Sequence, residues 1–158
     1  MSEPNTSEDP NKRPIETADS VSLRPDADMD WFLQNLVDLV NNTGISMGIT
    51  LTVGGSLITG ELVSGKKYFD DFGKTFAGDF QESSPEFIKE IQGLYAQYGE
   101  IYAPNPNGVK VPPSYIHLKD VHVYSGSSNP IPDRDGNWWR GRLSEVQGFM
   151  LGSLSASP

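Results

Sequence analysis

The apolar positions of this chain change period several times, and each change marks an element. In DMDWFLQNLVDLVNNTG, Phe32, Leu33, Leu36, Val37, Leu39 and Val40 recur at helical spacing, which predicts an amphipathic helix over 29–42. Asp28 or Asp30 stands where a side chain caps the first turn, and Gly44 stands where a left-handed C-terminal residue belongs. ISMGITLTVGG then switches to strict alternation: Met47, Ile49, Leu51 and Val53 against Gly48, Thr50 and Thr52. That is a half-buried strand over 45–54, returned by Gly54-Gly55 into a second strand over 56–64. Gly60 interrupts the returning strand and predicts a bend or a close backbone approach there.

Helical spacing resumes with Phe69, Phe72 and Phe76, which predicts a short helix over 66–77 despite Gly73 in its interior. Ser84 and Pro85 open a second helix over 84–98, with Phe87, Ile88, Ile91, Leu94, Tyr95 and Tyr98 along one side. An aromatic stripe of this kind is ordinary packing surface. The loop 99–113, rich in proline, asparagine and glycine, leads to a strand over 114–124. Ile116 and Leu118 share one face of that strand, whereas Val121 and Val123 have the opposite parity. A bulge near Lys119-Asp120 reconciles them. After a polar loop over 125–136, NWWRGRLSEVQGFMLGSL reads as strands over 137–144 and 146–154 joined by a kink at Ser144-Glu145. In the first of these Trp139, Gly141 and Leu143 alternate with Trp138, Arg140 and Arg142, so one tryptophan enters the core and the other shares an outer face with both arginines.

These elements predict an α+β fold over 28–154: an N-terminal helix on a small bent antiparallel sheet or small barrel, with the helices at 66–98 inserted between strands. The expected core comprises Leu36, Ile49, Leu51, Val53, Leu62, Ile116, Leu118, Trp139, Leu143 and Met150.

Residues 1–27 break the pattern. They are polar, acidic and interrupted by Pro4, Pro10, Pro14 and Pro25, a composition that predicts a disordered tail. The formal net charge of the whole chain is −9, which opposes binding to phosphate backbones. The chain contains no cysteine, so disulfides, thiolate zinc sites and a cysteine nucleophile are all excluded. Neither a secretory leader nor an apolar run of membrane-spanning length is visible, and the expectation is a soluble cytoplasmic protein without membrane partners.

Candidate chemistry is sparse. His117 and His122 are the only histidines, and with Asp120 they form HLKDVH. A metal site needs three or more converging ligands, and on a regular strand positions 117 and 122 point to opposite faces, so no metal is expected. Asp70-Asp71 and Asp133-Arg134-Asp135 are carboxylate pairs with no cleft evident to separate their acidities. The nucleophile elbow, phosphate loop, dinucleotide fingerprint and metalloprotease helix are all absent. The expectation is a protein without catalytic residues or cofactor. The residues most suited to contact a partner are Trp138, Arg140 and Arg142, since tryptophan and arginine are enriched in interface hot spots.

The glycine hairpin followed by SGKKYFD, then IHLKDVHVYSG, then WRGRLSEVQGFMLG, resembles in order and spacing the gas vesicle accessory protein U family, over roughly 31–80 and 115–154. The resemblance implies a non-enzymatic protein that associates with gas vesicle shell proteins and with itself and organises or clusters vesicles. The family carries no catalytic residues to transfer. A helix followed by a bent antiparallel sheet with a late Arg-Gly turn is also similar to Sm-like small β-barrels, which bind nucleic acid or form rings. The acidity of the chain weighs against the nucleic-acid part of that alternative.

Overall fold

The computed structural model describes residues 28–80, 82–104, 107–108, 111–126 and 129–154; the tail expected at 1–27 lies outside them. The fold is α+β. Helix α1 (Trp31–Thr43) is followed by strands β1 (Met47–Val53) and β2 (Ser56–Val63) and helices α2 (Gly65–Gly78) and α3 (Pro85–Gly99). A 3-10 turn (Glu100–Tyr102), β3 (Tyr115–Tyr124), β4 (Asn137–Arg142), a second 3-10 turn (Leu143–Glu145) and β5 (Gly148–Leu151) complete it. The strands form one antiparallel sheet in the order β4-β3-β2-β1-β5. The sheet is open, with β4 and β5 as its edges, so it is the bent sheet and not the closed barrel of the Sm-like alternative.

Local chemistry explains the boundaries. Asp30 caps α1 by accepting from the amides of Phe32 and Leu33, at 2.8 and 3.3 Å. Gly44 ends the helix in the left-handed region at φ 71°, its N–H donating to the Val40 carbonyl. Ser64 and Ser84 cap α2 and α3 through the amides of Lys67 and Phe87.

Leu33, Val37 and Val40 of α1 pack on one face of the sheet, against Ile49, Leu51, Ile58, Leu62, Ile116, Leu118 and Val121. Two expected core positions differ: Leu36 is half-buried outside the core cluster, and Met150 is 51% exposed, whereas Val53 and Trp139 are partly buried and pack against the core. The helix is rolled so that Leu33, Val37 and Val40 point down, which leaves Leu36 on the flank. The 3-10 turn after β4 sets the parity of β5 so that Phe149, paired with Leu51, packs on the core. Met150, paired with Thr50, falls on the other face.

The expected bulge in β3 is present. Asp120 adopts φ 52°, a left-handed conformation that aspartate tolerates, and the register with both β2 and β4 shifts there. The shift brings Val121 back onto the core face with Ile116 and Leu118. Opposite the bulge, a Cβ on Gly60 would stand 2.7 Å from the Lys119 carbonyl oxygen, so this is the close approach that the glycine permits.

The second face of the sheet carries the hairpin of α2 and α3. Phe72, Phe76, Tyr95 and Phe80 form an aromatic ladder between the two helices, with centroids 5.1 to 6.0 Å apart. The helices approach closely at Gly73, where a Cβ would lie 2.8 Å from that of Tyr95. The glycine that weakens α2 as an isolated helix is what lets α3 dock.

Candidate functional site

Alternation along β4 places Trp138, Arg140 and Arg142 on the second face of the sheet, opposite Trp139, which packs against the core. Trp138 is half-buried and the two arginines are exposed. All three are engaged by neighbours. The Trp138 ring meets Tyr68 of α2 edge to face, with centroids 5.5 Å apart. The Arg140 guanidinium carbon stands 3.5 Å from the centre of the Tyr115 ring, a cation–π contact. Arg140 also donates its Nε–H to Nε2 of His117 at 3.2 Å. Hydrogen bonding from Arg142, together with the positive charge of both arginines, holds the Tyr115 phenol below its usual pKa.

His117 is the surprise of this face. It is completely buried, within a cage formed by the rings of Tyr68, Tyr102 and Phe69, with centroids 4.9, 4.8 and 5.8 Å away. Burial, reinforced by the Arg140 charge, pushes its pKa down to about 3. Because Nε2 accepts from Arg140, the neutral ring carries its proton on Nδ1. Among the described residues that nitrogen has no hydrogen-bond partner, and the surrounding rings offer it only weak compensation.

The sequence expectation for the two histidines needs correction. The bulge at Asp120 restores them to one face, so they do not diverge, and neither is fully exposed. They have separate partners all the same: His122 is bonded through Nε2 to the carbonyl of Arg134 at 2.8 Å. Among the described residues no group of three or more histidine, aspartate or glutamate side chains is placed to hold a metal. Asp70 and Asp71 lie on α2 in ion pairs with Lys66 and Lys67.

His122 lines a cleft of about 430 Å³ on the same face, beyond the reach of the helical hairpin. Glu61, Asp120, Asp133 and Arg134 also face it, with Leu154 as an apolar wall. Glu61 is held below the usual carboxylate range by a hydrogen bond from Ser46 and by Lys119, 3.2 Å away. The bulge turns His122 to this face, and its bond to the Arg134 carbonyl with the Val123–Ile131 bridge brings the loop of Asp133 and Arg134 alongside.

The other feature the sequence did not reveal is apolar. Trp31, Phe32 and Phe149 follow one another in tilted ring contacts, with centroids 5.8 and 5.7 Å apart. Trp31 and Phe32 are about half exposed, as is Met150, and Leu151 is 62% exposed. These residues border the β5 edge, with Met150 on the face opposite Phe149. No helix of the described residues is long and apolar enough to cross a membrane.

Fold and surface together define a small α+β domain with an open sheet, one helix on its core face and a helical hairpin with an aromatic–arginine cluster on the other. A family model described as gas vesicle protein GvpU-like matches residues 30–154. The chain belongs to this family of gas vesicle proteins, as the order of its glycine hairpin, HLKDVH strand and WRGRLSEVQG segment had indicated. No curated protein and no solved structure matches it.

Proposed function

We propose that this protein is a non-enzymatic adaptor of the cytoplasm that associates with gas vesicle shell proteins and with itself, and thereby clusters vesicles. The observation that carries the reading is the family match, which spans the whole folded domain. Trp138, Arg140 and Arg142 are the proposed contact residues. They are held in place by Tyr68, Tyr115 and His117, so little side-chain freedom remains to be lost on binding. Weak contacts suffice for such a role. A vesicle presents many copies of any shell site, and multivalency amplifies single contacts by ~10² to 10⁴ where geometry allows simultaneous engagement. Neither a nucleic acid nor a membrane is a partner in this reading, since the chain carries a formal charge of −9.

The test mixes purified protein with isolated vesicles under the light microscope. Wild type clusters them, and the Trp138→Ala, Arg140→Ala double variant does so weakly or not at all. Wild type that never clusters vesicles at any concentration sinks the adaptor role. Undiminished clustering by the folded double variant sinks the choice of residues alone.

A further inference from the structure

Three observations meet at β4. It is an edge strand, and among the described residues no strand pairs with its outer side. In an antiparallel ladder an edge strand turns every second N–H and C=O outward, a template for one more strand. Its second-face side chains, at alternate positions, are an indole and two guanidinium groups.

The third observation is electrostatic. Lys66, Lys67, Lys74 and Lys119 each lie within 4.0 Å of a carboxylate. Arg140 and Arg142 make no such ion pair among the described residues, although acids outnumber bases 21 to 12 in the chain. Their partners are instead neutral: the ring and hydroxyl of Tyr115 and the unprotonated His117. Those contacts fix the two guanidinium groups without neutralising them.

We infer that β4 accepts an extended acidic segment of a partner protein as a sixth strand, its carboxylates at alternate positions meeting Arg140 and Arg142 and an apolar side chain meeting Trp138. Directly opposed side chains of paired strands stand ~4.5–5.5 Å apart at Cβ, within reach of a guanidinium–carboxylate pair. Backbone ladder bonds supply affinity and the alternating side chains supply selectivity, as in strand addition generally. A nucleic acid fits less well. Two guanidinium groups neutralise few phosphates, and the surrounding acidic chain repels the rest.

The inference rests on the contact face proposed above and is tested without vesicles. The probe is the synthetic peptide acetyl-Leu-Thr-Glu-Thr-Glu-Thr-Leu-amide, which presents Leu, Glu, Glu and Leu on one face in either strand direction. It is titrated onto the full chain at low salt and followed by backbone amide shifts. Expected are saturable binding with shifts along 137–142, weakening with salt, and a loss of about two- to fivefold in Arg142→Gln. A fully N-methylated version and a version with lysine for glutamate should not bind. Arg142 does not touch His117, so this variant keeps the core intact; Arg140→Gln, Arg142→Gln then abolishes binding where circular dichroism shows it folded.

Absence of binding overturns the inference, as do equal binding of the lysine peptide and an unchanged affinity in Arg142→Gln. Equal binding of the N-methylated peptide overturns strand addition, and displacement by oligothymidylate at lower concentration overturns the choice of partner. Peptide binding without any effect of the same variants on vesicle clustering would sink the adaptor's contact residues and leave this inference standing. Clustering without peptide binding would do the reverse.

Discussion

Arg140 and His117 are directly opposed on β4 and β3, and the exposed guanidinium donates to Nε2 of the fully buried imidazole at 3.2 Å. The pair sets a pH dependence. The His117 pKa falls from an ordinary value near 6.5 to about 3, so between these values the unfolded chain binds the proton and the folded chain does not. Stability from this group is fully present above pH 6.5 and is lost as pH falls toward 3. At pH 4 the expected loss is on the order of 3 kcal/mol. Urea unfolding of wild type and His117→Gln at pH 7 and pH 4 checks it. The glutamine carbonyl still accepts from Arg140 but does not titrate, so the variant should lose less stability over this interval by about that amount.

Arg140→Met keeps much of the aliphatic stem and removes the donor. The buried Nε2 of His117 is then left without a partner, which costs about 1–3 kcal/mol at pH 7. The pKa of His117 should rise as well, since one of the two causes of its depression is the Arg140 charge, but burial keeps it below the ordinary value. Chemical denaturation and the imidazole resonances of the variant measure the two effects separately. A neutral substitution with an unmoved resonance would mean that the contact contributes nothing in solution.

Two glycines in the helical hairpin should respond with opposite signs to one substitution. Gly93 lies inside α3 with nothing within 4 Å of where its Cβ would be, so Gly93→Ala should stabilise by about 0.5–1 kcal/mol through helix propensity. Gly73 lies inside α2 with the Cβ of Tyr95 at 2.8 Å from the added atom. Gly73→Ala gains the same propensity but forces the helices apart along the aromatic ladder, and should destabilise on balance by about 1–3 kcal/mol. Thermal unfolding of the two variants side by side reads the difference.

How much of this was legible follows from range. The five strands and three helices were readable because each is written in local period, and even the β3 bulge was forced by the parity of Ile116, Leu118, Val121 and Val123. The helix around Gly73 was readable, but the role of the glycine was not, because it is the approach of another helix, which a helix propensity does not contain. Leu36 and Met150 were misplaced because a six-residue apolar stripe does not fix the roll of α1, nor a kink the parity of β5. The burial of His117 was illegible for a related reason. Its cage comes from residues some fifteen to fifty positions away, beyond the range of any local pattern. The alternation of Trp138, Arg140 and Arg142 was readable, whereas the neutral partners that hold the arginines were not.

The chain after β5 is held to the second face by a relay of two threonines. The Leu154 amide donates to Thr59 Oγ1 at 2.7 Å, and the Thr50 hydroxyl donates to the Gly152 carbonyl at 2.8 Å. Thr50 and Thr59 are 2.9 Å apart, and since the Thr50 hydroxyl proton is committed to Gly152, the Thr59 hydroxyl must donate to Thr50. Both threonines are buried, so breaking the relay strands a polar group. Thr59→Val conserves shape while removing the acceptor of Leu154 and the donor to Thr50. It should cost about 1–3 kcal/mol and free the segment that walls the cleft beside Glu61 and His122. Thr59→Ser keeps the hydroxyl and should retain most of the stability. Hydrogen exchange at the Leu154 amide decides the matter: it should accelerate in Thr59→Val and stay slow in Thr59→Ser, and equal exchange in all three proteins would show that the relay does not hold this segment.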